Sequence, residues 1–104
     1  MTERKLVAIL TEVCEEEKAN QNGFAWLTHL GHWRTPAVVA VFQTDHQLAK
    51  ALNQKWDIDF INKVNIALEE LKSTPVAFRF DSETRCKQYS GGDWEKHLAK
   101  AFSH

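Results

Sequence analysis

The run AVVAVF, Ala37 to Phe42, constrains the architecture more than any other stretch. It is apolar throughout, as expected of a β-strand covered on both faces, because a strand with one wet face alternates polar and apolar residues. A chain of 104 residues has room for one domain, residues 1–104, and for one core. The strand must therefore sit in a small sheet with helices packed on it.

The flanking sequence supplies those elements. Phe24 to His29 reads as a strand, with Phe24, Trp26 and Thr28 alternating with Ala25, Leu27 and His29. Strict alternation puts Phe24 and Trp26 on one side of the sheet, and Ala25 and Leu27 on the other. LGHWRTP then carries a glycine and a proline and reads as a turn, so the first two strands pair antiparallel. Upstream, Leu6, Ile9, Leu10, Val13 and Cys14 recur at helical spacing, which predicts an amphipathic helix over about Thr2 to Ala19. NQNG ends it, with Gly23 suited to a left-handed backbone.

Downstream, the T-x-x-Q pattern of Thr44 and Gln47 opens a helix over about Asp45 to Gln54. Another follows over about Asp57 to Lys72, with Ile61, Val64, Leu68 and Leu71 as its apolar stripe. Val76, Phe78 and Phe80 alternate with Ala77 and Arg79 in a third strand, wetter on one face. Asp81 or Ser82 caps a short helix to about Tyr89, and Asp93 caps a last one carrying Trp94, Leu98, Ala101 and Phe102. The expected fold is α+β, a single domain with about three strands in the order α-β-β-α-α-β-α-α.

A formal net charge of −1 gives the chain no general attraction to polyphosphate or to anionic membrane. No apolar run approaches the ~20 residues needed to span a bilayer. MTERKLVAIL has only a short apolar run and no cleavage site, so a cytoplasmic protein with Cys14 and Cys86 reduced is expected.

FAWLTHLGHWR concentrates two tryptophans, two histidines and an arginine. His29 and His32 have an H-x-x-H spacing that serves a metal only if the turn bends the second ring back and other ligands converge. No further ligand motif accompanies them, so no metal or other cofactor is expected. Cys86 stands between Arg85 and Lys87 early in a helix, where cations and the dipole lower a thiol pKa. A nucleophile needs a base in reach, however, for which His97 is the one candidate, and helical cysteines are usually inert apolar residues. Gly91 and Gly92 precede a helix, but Asp93 occupies the cap where an anion would sit. Asp57, Asp59, Glu69, Glu70 and Glu15 to Glu17 lie at helix ends or on polar faces, and read as solvated.

Taken in order, the elements α-β-β-α-α-β resemble the type II KH arrangement, which grips single-stranded nucleic acid through a G-x-x-G loop. The matching segment here is LNQKWD, where Lys55 can meet a phosphate and Trp56 can stack on a base. FAWLTH, VVAVFQTD, FRFDSE and GGDW, in that order, resemble a group of small bacterial proteins of no established function. Some of its members are labelled Fis-type transcriptional regulators. That resemblance implies no catalytic residues.

Exposed Trp and Arg are the residue types enriched at the centres of protein interfaces. The function expected is therefore non-catalytic protein association, with itself as a homodimer and with another protein, around Trp26, Trp33 and Arg34. The alternative is a nucleic-acid-binding module or regulator of KH-like topology using Lys55 and Trp56. A thiol- or metal-dependent enzyme comes third.

Overall fold

The apolar run Ala37–Phe42 is the middle strand of three, antiparallel to one neighbour and parallel to the other, and helices pack on both of its faces, which is why neither meets water. A computed structural model describes residues 2–102. Among them the elements are α1 (Thr2–Lys18), β1 (Phe24–Leu30), β2 (Ala37–Phe42), α2 (Asp45–Asn53), α3 (Trp56–Leu68), a 3₁₀ turn (Glu69–Leu71), β3 (Ala77–Ser82), α4 (Glu83–Ser90) and α5 (Trp94–Phe102). This is the α+β order expected. The Cα radius of gyration, 13.4 Å, is that of one domain of this length.

Both helix caps assigned from sequence to serine or threonine form. Thr44 Oγ1 accepts from Gln47 N–H at 3.1 Å, and Ser82 Oγ accepts from Arg85 N–H at 3.0 Å. Asp93 Oδ1 accepts from Lys96 N–H at 3.1 Å and starts α5. Gly23 has φ +94°, a left-handed conformation that favours glycine, and a Cβ there would fall 2.3 Å from the end of the Gln47 side chain, which would have to move aside. The side chains of Ala101 and Phe102 lie outside the described residues.

One sheet face carries Phe24, Leu27, Val38, Ala40, Phe42, Phe78 and Phe80, and packs on α1, α2 and α3. The other carries Trp26, Val39 and Val41 and packs on Leu98 of α5. Phe24 and Trp26 thus face opposite sides, against the strict alternation expected. Phe24 pairs with Phe42 but Trp26 pairs with the adjacent Val41, so Ala25 is an extra residue on β1. This β-bulge turns every later side chain of β1 over.

The stripe of α3 also differs from expectation by one position. Phe60, Val64 and Leu68 are its buried residues, whereas Ile61 lies at the margin. The cause is Trp56, which opens the helix and stacks on Phe60 one turn later, with ring centroids 4.7 Å apart. Among the described residues no helix is long and apolar enough to cross a membrane.

Candidate functional site

On β3, Arg79 and Asp81 point away from Phe78 and Phe80, onto the face that α5 covers. Asp81 is fully buried there. Its Oδ2 accepts from Arg79 Nη2 at 2.9 Å and from His97 Nε2 at 2.8 Å, and its Oδ1 accepts from Ser82 N–H at 2.9 Å. A carboxylate only accepts, so His97 carries its proton on Nε2 and, in the neutral ring, leaves Nδ1 to accept from Ser90 Oγ–H, 2.9 Å away. The result is a Ser90–His97–Asp81 chain of hydrogen bonds joining α4, α5 and β3.

Such a chain is the arrangement that activates a serine nucleophile. The surroundings here oppose that use. The backbone N–H groups of Gly91 and Gly92, next to the hydroxyl, both donate to Cys86 O, so neither is turned toward a developing oxyanion. Ser90 is also the last residue of α4, where the helix dipole disfavours negative charge. The same face holds a second carboxylate clamp. Glu83 Oε1 accepts from Trp26 Nε1–H, and Glu83 Oε2 accepts from Trp94 Nε1–H at 3.0 Å. The two indoles meet edge to face, 4.9 Å between centroids.

Cys86 is fully buried beneath α4, and its hydrogen-bonding neighbours do not include His97. Burial pushes its thiol pKa up, and the carboxylates of Glu83, Asp81 and Asp93 push it further, opposite to the lowering that Arg85 and Lys87 suggested in the sequence. Native Cys86 should therefore resist a disulfide reagent that labels half-buried Cys14, and react only at the rate of unfolding. Rapid labelling of native Cys86, read by peptide mass, would contradict its burial.

The remaining sequence candidates are dispersed. Trp26 is engaged by Glu83 and Trp94, inside the fold. Trp33 is half-buried against the core, with the exposed Arg34 guanidinium 5.2 Å over its ring. Ser73 Oγ–H donates to Trp33 O at 2.5 Å, and Thr74 N–H donates to Arg34 O at 2.7 Å, so β3's approach anchors this turn. His29 Nε2 lies 3.7 Å from Glu3, while His32 Nδ1 accepts from Arg34 N–H at 3.2 Å. Among the described residues no three metal-type side chains converge. Lys55 is exposed, at φ +63° in the short link between α2 and α3. Trp56 is not beside it in solvent. Its half-buried ring packs among Phe24, Phe42, Phe60 and Phe80, and the stacked Phe60 takes one of the two faces a base would use.

Trp56 instead donates through Nε1–H to Glu17 Oε1 at 2.8 Å. Glu17 is only 5% exposed, although its neighbours Glu15 and Glu16 are solvated as expected. Lys63 donates to Glu17 Oε2 at 2.9 Å and lies 2.7 Å from Glu16, and the ammonium is held above its ordinary pKa by Glu16 and then Glu17, against desolvation. Because the folded value is raised, this stabilisation is complete below pH 10.5 and is lost as pH rises through the folded pKa.

This ion pair borders a groove of about 590 Å³ between α1 and α3. Its floor is apolar, from Ile9, Val13 and Ala67, and its rim is Glu12, Glu16, Asp59 and Glu70. Ile66 is 67% exposed at the floor's edge. The groove is not legible in the sequence because its walls come from two helices separated by β1, β2 and α2, and a chain pattern reports one helix face at a time. Neither a protein-family model, nor a curated protein, nor a solved structure matches this chain.

Proposed function

We propose that this chain is a non-catalytic cytoplasmic protein that acts by binding another protein. The observation that supports this most is the α1–α3 groove, where Ile66 stands 67% exposed over an apolar floor. An apolar side chain in a concave surface rimmed by charge is what a docking site needs. The cytoplasmic part rests on two thiols on different helices, both unpaired, as a reducing compartment would keep them. Self-association belongs to a different surface. The exposed Arg34 over half-buried Trp33 is a pair of residue types found at interface centres, and a homodimer would use it.

The test is velocity sedimentation of the untagged chain at native abundance in clarified lysate. A species well above the 12.0 kDa of one chain is expected, and the Trp33→Ala/Arg34→Ala variant separates a homodimer from a complex with another protein. A chain that sediments alone as a monomer would overturn the reading.

A further inference from the structure

The groove between α1 and α3 also restricts what can lie in it. Resting on the association reading above, we infer that its occupant is an amphipathic helix with basic flanks, supplied by a different protein. Charge sets the sign. Four carboxylates, Glu12, Glu16, Asp59 and Glu70, line the rim. The one cation among the lining residues, Lys63, is already paired with Glu16 and Glu17. A nucleic-acid backbone or an anionic membrane is repelled by that rim. So is a second copy of this chain across a two-fold axis, since it would set the same carboxylates against themselves.

Backbone chemistry sets the shape. The walls are helices whose own N–H and C=O groups are satisfied internally, so they present no ladder to an extended peptide. A segment that buries its backbone here must satisfy its own hydrogen bonds, which a helix does. Along α3 the lining runs from Asp59 to Glu70 just beyond its end, roughly 16 Å at helical rise, or about three turns. The half-buried Ile9 and Ala67 and the exposed Ile66 then meet apolar side chains spaced i, i+3 or i+4, and i+7, while Lys or Arg on either side meets the rim.

The probe is a labelled synthetic peptide of about 14 residues with leucines at that spacing and lysines flanking them. It is titrated onto the full chain by fluorescence anisotropy, beside a scrambled peptide of the same composition. Binding in the micromolar range is expected, accompanied by a gain of helical circular dichroism. Ile66→Gln, which leaves the charge unchanged, should weaken it about tenfold or more, and so should raising the salt from about 0.05 to about 0.5 M. Trp33→Ala/Arg34→Ala should leave it unchanged. Urea melts confirm that each variant is folded. Equal binding of the scrambled peptide, indifference to Ile66→Gln, or no binding would each overturn the inference. If the peptide fails while the chain still sediments in a heavier complex, the groove assignment falls and the association reading stands. If the chain also sediments alone, both fall.

Discussion

Asp81→Ala is expected to remove about 3 kcal/mol or more of folding stability, because the buried His97 Nε2–H and Ser82 N–H each lose their acceptor, at roughly 1–3 kcal/mol apiece, and Arg79 loses its counter-charge. Arg79 and His97 both converge on Asp81 Oδ2, and Ser82 N–H donates to Oδ1. Arg79 can turn part of its side chain to water, being 31% exposed, but His97 at 8% cannot. Most of the loss should therefore pass through His97. In urea denaturation His97→Ala should be costly in the wild-type background and much less so after Asp81→Ala. Hydrogen exchange should show α5 losing protection ahead of the strands, since Asp81 and Ser90 are what hold His97 against the sheet. A loss under about 1 kcal/mol, or equal His97→Ala effects in both backgrounds, would mean that the network does not lock α5.

Phe60→Ala should cost a similar amount, about 3–5 kcal/mol, by leaving a cavity in the larger core. Phe60 is 1% exposed and its ring lies 4.7 Å from Trp56, 6.2 Å from Phe24 and 6.1 Å from Phe80. The neighbouring Ile61→Ala supplies the contrast, and should cost about 1 kcal/mol or less because Ile61 lies at the margin of the core. Equal losses at the two positions would show that the stripe of α3 runs as periodicity alone suggested. Phe60→Ala should also shift Trp56 fluorescence, since the stacking partner of that indole is gone.

These two residues show where the sequence was legible. Element types and order follow from local signals: the periodicity of Leu6, Leu10 and Val13, the glycines and prolines, and the caps at Thr44, Ser82 and Asp93. What resisted reading is set by partners remote in the chain. The bulge at Ala25 has no composition of its own, and reversing β1 sends Trp26 to Glu83 instead of to the side of Phe24. Glu17 continues the 6–10–13 stripe, a signal that was present, yet a glutamate there reads as solvated until Trp56 and Lys63 arrive from α3. Asp81 and His97 are 16 residues apart, and Ser90 lies between them. Only the fold makes them one network. The groove likewise exists only once α1 and α3 lie side by side.

The central claim is that the α1–α3 groove is a protein-binding surface, and site-specific photocrosslinking tests it most directly. A benzophenone amino acid would be placed at Ile66 in the groove and, separately, at Tyr89, which is equally exposed on α4. The expected result, in cells of the source, is one discrete adduct from position 66 and none from position 89. Mass spectrometry of that adduct should find the crosslink within a lysine- or arginine-rich helical segment of another protein. An adduct confined to position 89, or none from position 66, would contradict it.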